Sequence, residues 1–258
     1  MNRPNVLILH ATGTNRDHEA AWAVEAAGGA PQILHVNELH QAPGRLHRFQ
    51  MLILPGGFSY GDDLGAGRLW ASDLRWLFQD DLARFIEAGK PVLGICNGFQ
   101  ALVKSGWLPG PPGDGIQATL TRNASNHFEC RWVHLRPDPA SPCVFTQGLE
   151  GLVYCPVAHG EGRFVPGDDG VLASLGAHKQ IALVYVAADG GQAEYPANPN
   201  GSVADIAGLC NEQGNVLGLM PHPEDHILAY QHPRWTRGLD GHLGLPLFVQ
   251  GVRYAGSL

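Results

Sequence analysis

A strand pattern and a helix pattern meet without a linker in Lys90-Pro91-Val92-Leu93-Gly94-Ile95-Cys96-Asn97-Gly98-Phe99-Gln100-Ala101-Leu102-Val103. The apolar run before Cys96 is short and partly β-branched, which is typical of a buried strand. Apolar residues after it recur at helical spacing. The glycine two residues before and the glycine two residues after Cys96 give the pattern of a sharp strand-to-helix turn that presents a nucleophile. We therefore predict that Cys96 is a nucleophile; the alternative is a buried structural thiol, the usual fate of a free cysteine.

The same alternation of short apolar runs and helical patterns continues outward from this turn. Toward the N-terminus it predicts a parallel α/β sheet with right-handed crossovers, with strands at 6–9, 33–36 and 51–54. A helix is predicted at 17–27, and one or two helices over 69–78 and 82–86. After Gly106, strand-like runs predict antiparallel and mixed strands added to the edge of this sheet, at 117–121, 130–135, 152–157, 171–174, 180–186 and 203–210. A strand at 216–220 and a helix at 245–254 complete a single predicted domain over residues 1–258.

Composition narrows the class of protein. The chain has 258 residues and a net charge of −7, and it contains no run of Lys or Arg, so nucleic acid is not the expected partner. No apolar run approaches the roughly 20 residues that cross a bilayer, and no secretory signal is expected at the start. The five cysteines are odd in number and lack metal-type spacing, which predicts a reducing cytoplasmic setting and no metal site.

A second chemical signal is the Gly56-Gly57 turn, which follows a predicted core strand. Backbone N–H groups in such a turn can serve as the fixed donors of an oxyanion hole. An ordinary tight turn is the alternative interpretation. The position favours the functional one, because open α/β sheets place their sites at the carboxyl ends of the strands.

A cysteine that attacks a carbonyl needs a histidine to move protons and a carboxylate to orient the imidazole. The chain has two His-x-Glu pairs, His222-Pro223-Glu224 and His159-Gly160-Glu161, among 13 histidines, most of which are expected to be structural or on the surface. We favour His222, because it follows a core strand and prolines fix the backbone on either side. The sequence alone leaves both pairs open.

Several separated motifs resemble class I, triad-type glutamine amidotransferases: Leu54-Pro55-Gly56-Gly57-Phe58-Ser59-Tyr60-Gly61-Asp62, Gly94-Ile95-Cys96-Asn97-Gly98-Phe99-Gln100 and Met220-Pro221-His222-Pro223-Glu224. Within that family, segments 58–62, 128–132 and 156–162 are similar to the glutaminase components of phosphoribosylformylglycinamidine synthases. The resemblance covers nearly the whole chain. It implies a flavodoxin-like, doubly wound, mostly parallel sheet with additional antiparallel strands.

The resemblance also implies catalytic roles, position by position. Cys96 would be the nucleophile, His222 the acid and base, and Glu224 its orienting carboxylate. The backbone amides of Gly57 and Asn97 would form the oxyanion hole.

The substrate and partners follow from the same resemblance. L-Glutamine would be the substrate, with Gln100 and Phe58 as contacts, and His159 would have no triad role. Ammonia would pass to a separate synthase subunit, which carries ATP and magnesium and converts formylglycinamide ribonucleotide to its amidine. The complex would include a small third subunit. No cofactor is expected in this chain. We also expect low activity until the synthase docks, with the coupling expressed at the Gly56-Gly57 turn.

Two alternatives come from other classes of protein. A cysteine hydrolase or peptidase on a related α/β fold could use the same cysteine with either histidine. A catalytically silent regulatory subunit could keep the fold and bind only a partner.

Overall fold

The computed structural model describes residues 3–239, 241 and 243–258, which form eleven strands and seven α-helices. The strands are β1 (Asn5–His10), β2 (Ala30–His35), β3 (Met51–Leu54), β4 (Val92–Ile95), β5 (Ala118–Thr121), β6 (Glu129–Pro137), β7 (Val153–His159), β8 (Arg163–Pro166), β9 (Ile181–Val186), β10 (Ile206–Cys210) and β11 (Val216–Leu219). The helices are α1 (Asp17–Ala26), α2 (Val36–His40), α3 (Arg68–Trp76), α4 (Gln79–Glu87), α5 (Asn97–Lys104), α6 (Asp169–Ala177) and α7 (Leu245–Ala255).

One nine-stranded sheet has the order β2-β1-β3-β4-β11-β10-β9-β6-β7. The first five strands are parallel, in the order that flavodoxin-like sheets have, and the last four are joined by antiparallel pairing. Strands β5 and β8 form a separate antiparallel pair. The predicted parallel core with antiparallel strands at its edge is confirmed.

The parallel strands are the centre of the hydrophobic core. Strands β3, β4 and β11 are buried along their whole length, which fits their continuous apolar sequences. Helix α1 packs against α7, and α3 packs against α5. No helix in the described part of the chain has the length and apolar character needed to cross a membrane.

Three local predictions are wrong. The strand predicted at 203–210 begins only at Ile206, because Val203–Asp205 forms a 3-10 helix. The run at 171–174, predicted as a strand, lies inside helix α6, because the Asp168 side chain accepts a hydrogen bond from the Val171 N–H at 2.8 Å and caps the helix. The predicted second strand ends one residue early, because Val36 begins α2. There the His35 ring accepts a hydrogen bond from the Asn37 N–H at 3.1 Å.

Candidate active site

Cys96 lies at the junction between β4 and α5, as the sequence predicts. Its backbone has φ 48° and ψ −100°, a strained conformation for a residue with a side chain, which typically costs about 1–3 kcal/mol. The neighbouring glycines make the turn possible. A Cβ on Gly98 would lie 2.0 Å from the carbonyl oxygen of Leu54, and one on Gly94 would lie 2.5 Å from Leu102. The helix therefore packs directly on β3 and β4, with Cys96 at the end of the sheet.

His222 reaches the same edge of the sheet because β11 and β4 are parallel neighbours. Leu219 pairs with Ile95 in the register, and the Cys96 N–H donates to the Leu219 carbonyl at 2.8 Å. The turn that follows β11 is fixed by a hydrogen bond from the His222 N–H to the Pro156 carbonyl of β7. The nucleophile and the imidazole thus come from distant parts of the chain but from adjacent strands.

His222 and Glu224 form a buried pair. Nδ1 of His222 lies 2.7 Å from Oε1 of Glu224, and both side chains are almost completely inaccessible to solvent. Burial alone would disfavour the imidazolium, but Glu224 and Cys96 outweigh it and raise the pKa of His222 well above its ordinary value. Because Nδ1 is bonded to Glu224, Nε2 is the nitrogen that remains for Cys96 and a substrate.

The Gly56 backbone lies against the His222 ring. A Cβ on Gly56 would be 2.6 Å from Cε1 and 3.2 Å from Nδ1 of the imidazole. A side chain is therefore excluded at Gly56 unless the ring moves. This contact joins the turn predicted as an oxyanion hole to the histidine predicted as the base.

The second His-x-Glu pair is built differently. The Nε2 atom of His159 lies 3.1 Å from the Asn200 amide nitrogen, whereas the Glu161 carboxylate is bound to the Ala66 N–H and to Lys104. Burial, together with the nearby charge of His222, lowers the pKa of His159 to about 3. His159 is therefore neutral near pH 7 and has no carboxylate partner among the described residues. Of the two histidines that the sequence left open, His222 is the one that is hydrogen-bonded to a carboxylate.

The two amides predicted for the oxyanion hole are available. Neither the Gly57 N–H nor the Asn97 N–H donates a hydrogen bond within the described part of the chain. Gly57 has φ +138°, and a Cβ there would lie 2.6 Å from the Asn15 nitrogen, so the turn requires glycine. The Asn97 side chain accepts from the Ser59 N–H at 3.1 Å and so ties the turn to the start of α5.

The two predicted substrate contacts differ in their surroundings. Gln100 is buried, and its carboxamide is held by protein: Nε2 donates to the Glu161 carbonyl at 2.7 Å and Oε1 accepts from Asn97 at 3.0 Å. The structure thus gives Gln100 a positioning contact rather than an open polar group. Phe58 is 47% exposed and follows Gly57 directly, so its ring is free to contact a ligand.

Residues 3–255 match the family model described as the CobB/CobQ-like glutamine amidotransferase domain. The chain belongs to the glutamine amidotransferases. The family resemblance seen in the motifs is thereby confirmed.

Relatives of this amidotransferase align over nearly its whole length. Phosphoribosylformylglycinamidine synthase subunit PurQ of Treponema denticola is 47% identical over 98% of this chain and 99% of its own. The protein of the same name from Dehalococcoides mccartyi is 48% identical over 99% of both chains. Among solved structures, PurLQS from Thermotoga maritima matches with a TM-score of 0.75 and 32% identity, over 98% of this chain and 99% of the matched chain.

Sequence reasoning missed a polar network behind the site of this amidotransferase. The Asn97 amide donates to the Asp62 carboxylate at 2.8 Å as well as to Gln100. Buried Asn123 holds the turn after β7 by donating to the His159 carbonyl and accepting from the Gly162 N–H. No local pattern marks these residues, because each bond joins segments far apart in the chain.

One group of side chains in the described residues could be considered as a metal site. His222, Glu224 and Asp225 offer ligand-type atoms within 4.8 Å of one another. Two ligands of a tetrahedral zinc with bonds of about 2.0–2.1 Å lie about 3.3 Å apart. The 2.7 Å separation of the His222 and Glu224 atoms is instead that of a hydrogen bond. The arrangement fits an acid–base pair better than a metal centre.

Proposed function

We propose that this amidotransferase is the glutaminase subunit of a phosphoribosylformylglycinamidine synthase, with L-glutamine as its substrate. The observation that supports the chemistry is the buried His222–Glu224 pair, on the turn after β11, the strand that pairs with the one before Cys96. The assignment to this synthase is supported by relatives of that name that align over almost the full length of both chains.

The first half of the reaction forms a thioester. The Cys96 sulfur attacks the carboxamide carbon of glutamine, and the oxygen becomes an oxyanion held by the Gly57 and Asn97 amides. The C–N bond then breaks, and the imidazolium of His222 gives its proton to the departing nitrogen, so that ammonia leaves. Glu224 keeps the ring oriented through Nδ1 and stabilises its charged form.

The second half regenerates the thiol. His222, now neutral, takes a proton from water, which attacks the thioester carbon. The C–S bond breaks, glutamate is released, and the sulfur recovers its proton. Ammonia passes to the synthase subunit, on which ATP and magnesium are bound and formylglycinamide ribonucleotide is converted to its amidine. A small third subunit completes the proposed complex, in the cytoplasm.

The test compares two nitrogen sources in the reconstituted complex of this chain with its synthase and third subunit. Cys96→Ala should lower glutamine-dependent product formation by at least about 10³-fold while leaving ammonia-dependent formation intact. Cys130→Ala, at an exposed free cysteine, is the matched control and should leave both unchanged. Unchanged glutamine-dependent synthesis in Cys96→Ala would show a silent regulatory subunit. Peptide cleavage without glutaminase activity would show a hydrolase of another kind.

A further inference from the structure

A groove of about 860 Å³ lies between α3 and β5, apart from the Cys96–His222 pair. We call it the α3 groove; it runs along the exposed side of α3 and includes Leu64, Arg68, Arg75, Trp76, Ile116 and Arg122 in its lining. Helix α3 has nine residues, so the groove extends over about 12 Å along its axis. None of these residues has a role in the chemistry described above.

The charge of the α3 groove is opposite to that of the chain. The lining contains four cationic side chains and two carboxylates, in a protein whose net charge is −7. The cations are Arg68, Arg75, Lys104 and Arg122, and the carboxylates are Asp62 and Glu161. The three arginines form no ion pair with any residue in the described ranges. An excess of unpaired guanidinium groups favours a ligand that carries carboxylates.

Large apolar side chains lie among these cations. Trp76 is 78% exposed, Leu64 74% and Ile116 56%. Tryptophan and arginine are the residues that most often dominate the binding energy of protein interfaces. A small phosphorylated ligand would use the arginines but would leave these apolar side chains in water. The combination therefore favours a protein surface with acidic side chains around an apolar anchor.

One wall of the α3 groove is connected to the oxyanion hole by hydrogen bonds. Glu161 accepts from Lys104 and from the Ala66 N–H through its carboxylate, and from Gln100 through its backbone carbonyl. Gln100 in turn accepts from Asn97, whose backbone N–H is one of the two predicted oxyanion donors. A contact at the wall can therefore shift the start of α5.

The loop that carries the other predicted donor forms the same wall. Residues 57–67 run from Gly57 to the start of α3, and Tyr60, Asp62 and Leu64 all have positive φ although none is glycine. Such strained backbone persists only where the surroundings fix it. Asp62 is held by Asn97, whereas the Leu64 side chain is open to a partner. Contacts with Leu64 would act directly on the conformation of this loop.

We propose that the α3 groove is the surface on which the synthase subunit docks and through which it activates the glutaminase. The segment that binds there presents carboxylates on either side of an apolar side chain. The proposal rests on the proposed function, since it names where that complex forms.

The docking test uses the double variant Arg75→Glu/Trp76→Ala, with Trp22→Ala as the matched control on α1. Both tryptophans are exposed, so thermal unfolding should be unchanged by either variant. We expect the dissociation constant for the purified synthase to rise at least 30-fold in the double variant and less than twofold in Trp22→Ala. Equal affinity of the double variant and the wild type overturns the proposal, as does an equal loss in both variants.

A second variant separates docking from activation. Glu161→Gln should change the affinity for the synthase less than threefold but lower the stimulation of glutaminase activity by the synthase at least tenfold. Undiminished stimulation overturns the coupling route. Binding of inorganic phosphate to the wild type but not to Arg75→Glu/Trp76→Ala, with normal synthase binding, would identify a small-anion site instead. If the wild-type chain does not bind the synthase at all, the proposed function fails as well. If the wild type binds the synthase and the variants bind it and respond to it equally well, the α3 groove proposal fails but the proposed function stands.

Discussion

Substitution of Gly56 by alanine tests whether the turn proposed as an oxyanion hole and the imidazole proposed as the base, that of His222, depend on one contact. The new Cβ would lie 2.6 Å from Cε1 of His222, and ordinary contacts begin at 3.4 Å, so the ring or the turn must move by about 0.8 Å. The ring cannot turn away freely, because Nδ1 is bonded to Glu224 at 2.7 Å and the side chain is buried. A misplacement of about 1 Å in a catalytic group can cost about 10²-fold in rate, so we expect kcat to fall about 100-fold.

The assay is glutamate release by the Gly56→Ala chain in complex with its synthase, measured over a range of glutamine concentrations. The loss should fall mainly on kcat, since the alanine displaces the imidazole rather than a group that is proposed to bind glutamine. Gly176→Ala is the control. It lies on the exposed side of α6 with no atom within 4 Å of the new Cβ, and it should leave activity unchanged.

The two substitutions should also change the stability of the fold in opposite directions. Alanine in place of glycine in an exposed helix stabilises by up to about 1 kcal/mol, whereas Gly56→Ala should lower the midpoint of thermal unfolding. A Gly56→Ala enzyme with a kcat within threefold of the wild type would refute the reasoning. It would mean that the turn and the ring adjust independently.

Three further predictions concern the ionisable groups around Cys96. His222→Asn should lower kcat by about 10²–10⁴-fold. His159→Asn should leave the inflections of the pH–rate profile between pH 5 and 9 in place, because burial lowers the pKa of His159 to about 3. Steady-state kinetics of both variants across this pH range check the two expectations. Glu224→Gln removes a group that raises the pKa of His222. The raised pKa of His222 stabilises the fold fully below the unfolded pKa near 6.5, and this stabilisation is lost as pH rises through the folded pKa. The unfolding free energy that Glu224→Gln loses relative to the wild type, measured in urea, should therefore be larger at pH 6 than at pH 9. Burial raises the pKa of Asp225 to about 6, and keeping it ionised therefore costs stability above that pH; Asp225→Asn should raise the thermal midpoint at pH 8 and not at pH 4.

The parts of the fold that could be predicted from sequence are those encoded by neighbouring residues. The strand-turn-helix around Cys96 is one, because its glycines and apolar runs lie within a dozen positions and no other local structure suits them. Helix α6 shows the limit. Its apolar run is short enough to suit a strand, and the Asp168 cap decides the outcome. Strand β8 was not predicted either, since four residues between two turns carry little periodicity, and it forms only by pairing with β5.

The candidate site could be predicted in part for the same reason. Cys96, Gly57 and the His222-x-Glu224 pair each carry a local signature. The choice between His222 and His159 does not, because it depends on which imidazole meets a carboxylate after folding. Glu161 lies two residues from His159 but is bound by Lys104, 57 positions away in the chain. Interactions at that separation leave no periodic trace in a single sequence.

The adjacency of β4 and β11 explains how groups 126 positions apart can act together. The register Val216–Val92 through Leu219–Ile95 sets the two strand ends level, so each following turn leaves the sheet at the same height. Gly218 pairs with Gly94 in this register, and a Cβ on Gly218 would lie 2.0 Å from the Phe99 ring, so a slip of one residue would place a side chain where only glycine fits. The same packing of strand on strand that buries the core therefore also sets the position of the imidazole relative to the sulfur. The Cys96 sulfur and the His222 imidazole therefore need no flexible loop to reach the same edge of the sheet. The strained loop at 57–67 is different, because it carries a proposed oxyanion donor and borders the α3 groove. The proposed triad groups therefore follow rigid strands of the sheet, whereas one proposed oxyanion donor lies in the loop that the proposed partner would contact.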